Sequence, residues 1–406
     1  MTNERRGKAI FAESQAVADM EVSSTLAVLM EAERLRAEGV DLIDLGAGEP
    51  DFPTPDNVKA AAQRAIQANF TRYTATSGIA PLRKAIVDMM HRDFGASYEP
   101  SQALVTIGGK QAIFNAMATL LNPGDDVLIP SPYWVTFPEI ARFVRARSVF
   151  IDTEPNQFLL TADMVRESIT PRSRVLIINS PNNPTGRIIP PGEYRKIVEA
   201  AAERDVWVIS DECYLYFAYP PAEPFTAGEL PEELRSRVMI CGSFSKSHAM
   251  TGWRIGFALG PREWIGAMLK VQSHSTSNAN SITQKAALEA ATGPQDARRA
   301  MLDEYLQRRN WLVPALNEIP GVRCSMPEGA FYVMPDVRGL LGGRARTSAE
   351  FSRLLLDEAR VVGTDGAAFG IEGFVRISYA NSMVAIREGV RRLGELAGGL
   401  ARAVET

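Results

Sequence analysis

Histidine and cysteine are scarce in this chain of 406 residues, with three of each. His91, His248 and His274 stand far apart, and Cys213, Cys241 and Cys324 lack the close spacing of metal ligands, so no metal centre is expected. An odd number of scattered cysteines argues against a disulfide framework and points to a reducing, cytoplasmic setting. No run of about 18 apolar residues is present that could cross a bilayer. Met1–Met20 has no apolar stretch of the kind a signal peptide needs. The net charge is only −4, with acids and bases interspersed. That leaves no basic footprint for nucleic acid and no basic helix for a membrane surface. Internal repeats and low-complexity tracts are also missing.

What is there is ordinary for a soluble globular protein: 46% apolar and 23% charged residues. The length favours two domains. Short β-branched runs occur at Ala103–Ile107, Val127–Ile129, Val149–Ile151, Val175–Ile178, Val206–Ser210, Val238–Cys241 and Ile255–Ala258. Several are apolar throughout, as strands buried on both faces should be, and the spacers are mostly long enough for crossover helices. Ile113, Ala116, Met117 and Leu120 recur at helical spacing. An earlier helix is expected from Thr54-Pro55 as N-cap and N1, with Val58, Ala62, Ala65 and Ile66 on one face. The pattern predicts an α/β domain, a mainly parallel sheet sandwiched by helices. After about residue 290 it changes to a long charged helical stretch, Gln295–Leu316. Strands near Phe331–Met334 and Phe374–Ser378 and helices near Ser348–Ala359 and Met383–Leu396 complete it. The expected division is a large domain over 51–295 and a small α+β domain over 296–406, with residues 1–50 packing on the latter.

Polar residues and glycines follow the apolar runs, at the carboxyl ends of the predicted strands, where α/β sheets bind ligands. Asn179-Ser180-Pro181-Asn182-Asn183-Pro184-Thr185-Gly186 follows one run, and Asp211-Glu212-Cys213-Tyr214 another. Gly242-Ser243-Phe244-Ser245-Lys246 and Gly108-Gly109-Lys110 follow two more. Each has an ordinary explanation: a helix cap, a turn, a solvated lysine, a tight connection. An asparagine, an acid, a lysine and a glycine turn on four strand ends of one domain argue together for a site.

The order S-P-N-N-P-T-G, D-E-x-Y, S-F-S-K and then Arg254 within M-T-G-W-R-I-G resembles the class I aminotransferases, fold-type-I enzymes that use pyridoxal 5′-phosphate (PLP). The likeness runs from A-G-E-P-D-F at Ala47–Phe52 to R-I-S-Y-A at Arg376–Ala380. G-G-K-Q-A and S-P-Y-W-V resemble the thermophile-type bacterial aspartate aminotransferases. The resemblance implies a seven-stranded sheet and amino transfer from aspartate or another amino acid to 2-oxoglutarate. It makes Lys246 the Schiff-base lysine and proton shuttle. Asp211 would pair with the pyridine nitrogen, Asn183 and Tyr214 would bond the phenolic oxygen, and Trp134 would stack on the ring. Ser243, Ser245, Arg254 and the Gly109 and Lys110 backbone would hold the phosphate at a helix N-terminus. Tyr73 would reach the phosphate of a second subunit, implying a homodimer with shared active sites; simple packing would also account for Tyr73 and Trp134. Arg376 would clamp the substrate α-carboxylate, beside Gly48. Lys110 would face the distal carboxylate of an acidic substrate, since Ser273–Ser281 contains no arginine.

Other readings share these residues. A transaminase for aromatic or neutral amino acids would use the same machinery, and so would a PLP-dependent β-lyase or an aminocyclopropane-carboxylate synthase-like enzyme. A lyase would need no 2-oxo acid. A PLP-binding regulator would need a helix-turn-helix module, for which Met1–Thr25 is too short. G-A-G-E-P-D at Gly46–Asp51 lacks the third glycine of a dinucleotide fingerprint. One departure stands out: relatives with M-K-P-S-A-T read Met20-Glu21-Val22-Ser23-Ser24-Thr25 here. Where some of them use the basic residue to accept prephenate, Glu21 would repel a carboxylate at close range. Prephenate is therefore not an expected substrate.

Overall fold

The buried apolar runs form one sheet in a computed structural model of the chain. It describes residues 11–21 and 24–404, the side chains of 24–29 and 401–404 excepted. Val22 and Ser23 of the departing N-terminal stretch lie outside the described residues. In chain order the strands are β1 (Ile43–Asp44), β2 (Ala103–Thr106), β3 (Asp126–Ser131), β4 (Arg147–Asp152), β5 (Ser173–Asn179) and β6 (Trp207–Asp211). They continue with β7 (Val238–Ser243), β8 (Gly256–Leu259), β9 (Tyr332–Val333), β10 (Val361–Val362), β11 (Thr364–Asp365) and β12 (Val375–Ser378). Seven of them make the large sheet, in the order β2-β8-β7-β6-β5-β3-β4, with only β8 antiparallel to its neighbours.

Alternation along these strands feeds two cores. Val105, Leu128, Leu176, Ile178, Val208 and Ile240 face one layer of helices. Leu104, Val127, Ile129, Val175, Ile177, Ile209 and Met239 face the other. Each such side chain, fully buried, contributes roughly 1.5–3 kcal/mol, which is what fixes the register. The chain runs outward through β3 to β4 and then returns to β5 on the other side of β3. The direction of winding therefore reverses between β3 and β5, and a crevice opens at their carboxyl ends.

A third core surrounds Tyr305, Phe331, Tyr332, Phe351 and Tyr379. It packs the antiparallel sheet β11-β12-β9 against the long helices Asp296–Asn317 and Met383–Val404. Strand β1 pairs in parallel with β10, Ile43 opposite Val361, so the N-terminal strand is built into this part.

Two local expectations fail. The early helix spans Asp56–Gln67 with Pro55 at its N-cap and no capping side chain. The Thr54 hydroxyl instead donates to the Ala249 carbonyl at 2.5 Å and accepts the Trp253 indole N–H at 2.9 Å. Ile66, assigned to the buried face, is 55% exposed, while Val58, Ala62 and Ala65 are buried as expected.

Candidate active site

Three adjacent strands bring the polar segments together. Asn179 lies opposite Asp211, and Asp211 opposite Cys241, so the ends of β5, β6 and β7 are in step. Around them is a cavity of about 490 Å3. Among its lining residues are Gly48, Gly109, Lys110, Trp134, Asn183, Asp211, Tyr214, Ser243, Ser245, Lys246, Arg254 and Arg376. Of the site residues expected from sequence, Tyr73 alone does not line it; its side chain is 92% exposed.

Lys246 is carried by the helical turn Phe244–Ser247, whose N-cap Ser243 accepts the Ser245 N–H at 3.0 Å. Its ammonium donates to the Gly48 carbonyl. Burial lowers its pKa to about 8, the nearby Cys213 and Glu49 opposing that shift. The neutral amine is therefore more populated near neutral pH than it is for a lysine in water. Asp211 is buried at the floor and accepts the Cys213 N–H at 3.1 Å. Burial pushes its carboxyl up to about 6.

Arg376 is buried in β12. It donates from Nη1 to Asn183 Oδ1 at 3.0 Å and from Nη2 to the Gly46 carbonyl at 2.9 Å, while Nε has no partner. The rings of Tyr332 and Phe369 flank its guanidinium, at 4.5 and 4.9 Å. Tyr214 shares a 2.7 Å hydrogen bond with Tyr332 between hydroxyls, and burial raises both phenols. The Lys110 ammonium lies 5.0 Å from the centre of the Trp134 ring; desolvation first, then the Arg254 charge, lower its pKa.

Gly108 and Gly109 open the helix Gly109–Leu120. Gly108 has φ +78°, and a Cβ on it would lie 2.7 Å from Arg254 Nη2. On Gly109 a Cβ would lie 2.7 Å from Cys213 Sγ. These glycines keep the helix N-terminus, its free N–H groups and Arg254 close together, a cradle for an anion. A buried carboxylate at the floor, an amine of lowered pKa and this anion cradle fit PLP: a ring nitrogen, an aldehyde carbon and a phosphate.

Four residues with no role in the sequence reading help to build the site. Asn179 donates to the Asp211 carbonyl at 3.1 Å and accepts the Asn183 N–H at 2.8 Å, tying two strand ends together. Tyr332 braces Tyr214 and Arg376. Thr251 donates to Glu49 Oε2 at 2.8 Å, fastening the Gly48 loop beside the lysine segment. Asn179 had a signal, as the first residue past an apolar run; the other three depend on partners far away in sequence. Glu21 is not in the cavity wall. Its carboxylate pairs with Arg142 at 3.0 Å, and its N–H binds Glu139 at 2.8 Å.

The profile of the family described as "Aminotransferase class I and II" matches residues 40–393. The chain belongs to that family, whose cofactor is PLP. Among its relatives, the aspartate/prephenate aminotransferase of Cereibacter sphaeroides is 42% identical over 96% of this chain and 99% of its own. The aspartate aminotransferase of Geobacillus stearothermophilus is 41% identical over 94% and 97%. A structure of Thermus thermophilus aspartate aminotransferase with maleate superposes with TM-score 0.90 at 40% identity, covering 95% of this chain and all of the other.

Proposed function

We propose that this enzyme moves the amino group of aspartate to 2-oxoglutarate by a ping-pong cycle. The observation that carries the reading is one cavity holding Lys246, Asp211, the anion cradle, the buried Arg376 and a further cation, Lys110. PLP, when bound, supplies the electron sink that makes the substrate Cα–H acidic. Asp211 would pair with its ring nitrogen, and Asn183 and Tyr214 would hold its phenolic oxygen. Trp134 would pack against the ring, and Ser243, Ser245, Arg254 and the Gly109 and Lys110 N–H groups would take the phosphate. Arg376 and the Gly48 backbone would orient the α-carboxylate, and Lys246 would carry the proton between substrate Cα and cofactor C4′. Relatives named for aspartate, and maleate in the Thermus structure, support a four-carbon dicarboxylate as substrate. A panel of amino donors with and without 2-oxoglutarate tests this: aspartate should turn over best and only with the oxo acid. Turnover without it would indicate a lyase.

The preference for acidic donors falls to Lys110. A charge-assisted hydrogen bond is worth about 1.5–3 kcal/mol, so Lys110→Ser should cost aspartate and glutamate roughly 10- to 150-fold in kcat/KM. Alanine and phenylalanine, with no second carboxylate, should change little. Equal losses for all donors would assign Lys110 to the cofactor phosphate instead.

The working form is a homodimer in the cytoplasm. Tyr73 and Ile66 are exposed on the single chain, and Tyr73 serves the phosphate in the neighbouring subunit. The division falls into a cofactor-binding domain over 51–295 and a smaller one over 296–406, of their described residues, with the described part of 1–50 joined to the smaller. Tyr73→Phe should weaken cofactor retention by about 1.5–3 kcal/mol at most, one hydrogen bond to a charged group. Sedimentation of the holoenzyme should show a dimer at working concentrations; an active monomer would exclude the shared site.

A further inference from the structure

Directly after Asp211 the chain buries a second carboxylate that the proposed chemistry does not use. Ser210 and Glu212 point to the opposite face of β6 from Asp211, as strand alternation requires. Glu212 accepts three hydrogen bonds there: from the Ser210 hydroxyl at 2.8 Å, the Thr226 hydroxyl at 2.7 Å and the Ala227 N–H at 2.9 Å. Ser210 in turn accepts from the Tyr194 hydroxyl at 2.7 Å, and Thr226 from the Gly228 N–H at 3.1 Å. Among the described residues no lysine, arginine or histidine forms an ion pair with Glu212. The titratable and charged groups around it are Asp211, Tyr194, Tyr98 and the buried Cys241 thiol, with Arg235 stacked 5.1 Å over the Tyr98 ring. Glu212 lines one small cavity together with Ser243, Phe244 and Ser247, residues of the turn that carries Lys246.

Two effects compete for its proton. Burial raises the carboxyl and the Asp211 charge adds to this, leaving it at about 7 even with the hydrogen bonds from Thr226, Ala227 and Ser210 pulling it down. Against that stands the direction of the hydrogen bonds. A neutral carboxyl would have to donate, and its acceptors are hydroxyls whose other acceptor capacity is already in use. Donation to Thr226 would strand the Thr226 hydroxyl hydrogen in the core; donation to Ser210 would strand one along the Ser210–Tyr194 pair. A stranded buried donor costs about 1–3 kcal/mol. Three converging donors are also what a carboxylate needs to remain charged without a cation.

We infer that Glu212 is an ionised second carboxylate behind Asp211, whose charge helps to keep the ring nitrogen of the cofactor protonated. The inference rests on the reading that Asp211 pairs with that nitrogen. Glu212 touches neither cofactor nor substrate; it is a positioning residue that acts through Asp211 and through the potential at the cavity floor. Two negative charges there match two positive ones, the ring nitrogen and the nitrogen of Lys246.

The test is the nitrogen-15 signal of holoenzyme reconstituted with ring-labelled PLP, followed as pH is raised. In Glu212→Gln the midpoint of ring-nitrogen deprotonation should fall by about one unit, a tenfold weaker hold on the proton. In Asp211→Asn it should fall further. A midpoint lowered in Asp211→Asn but unmoved in Glu212→Gln overturns the inference alone. A midpoint unmoved in Asp211→Asn overturns the reading of Asp211 and the inference with it. Should Glu212→Gln not fold, the wild-type holoenzyme decides. Glu212 is the one buried glutamate among the described residues. At neutral pH no infrared band of a buried protonated carboxyl should shift on labelling glutamate with carbon-13; such a band would refute an ionised Glu212.

Discussion

Lys246→Ala should abolish covalent attachment of PLP and lower turnover by several orders of magnitude. In the proposed reaction the same side chain is both covalent anchor and proton carrier, so one substitution would remove both. No neighbour can take over. Lys110, the other lysine of the cavity, is held 5.0 Å over the Trp134 ring, on the segment that forms the phosphate cradle. Borohydride reduction of wild-type holoenzyme followed by peptide mass spectrometry should place the cofactor on Lys246. A modified peptide containing another lysine would overturn the assignment. The variant should fold, because removing a buried amine of lowered pKa leaves one unpaired carbonyl, that of Gly48.

Arg376→Lys should cost nearly as much, and equally for every amino donor. The guanidinium is fixed by Asn183, by the Gly46 carbonyl and by two flanking rings. A lysine ammonium keeps the charge but cannot reproduce the planar fork or satisfy these partners together. Because all α-amino acids share the group it binds, the fall in kcat/KM for alanine should match that for aspartate. A loss confined to aspartate and glutamate would move Arg376 to the distal pocket and remove Lys110 from that role.

Much of the site was legible because fully buried strands write themselves as unbroken apolar runs, and the break in each run marks a strand end. Asn183, Asp211 and Lys246 all stand just past such breaks. The paired strands β1, β10 and β11 have two residues each, too few to show a period. Tyr332 was hidden for a different reason: its role lies in contacts with Tyr214 and Arg376, which no local pattern encodes. Thr54 looked like a cap because threonine before proline usually is one, but a carbonyl and an indole brought in by the Ala249–Trp253 segment compete for its hydroxyl. Ile66 fitted the helical period and yet faces outward, because the 3.6-residue repeat sets its angle and not what lies opposite.

The hydrogen bond from Arg376 to Asn183 joins side chains that belong to different sheets, Arg376 on β12 and Asn183 beyond β5. The side chain proposed to grip the substrate is thereby latched to one proposed to hold the cofactor. The bond ties the small sheet to the large one by side chains alone, so any slip of one sheet against the other would turn the Arg376 guanidinium away from its present aim.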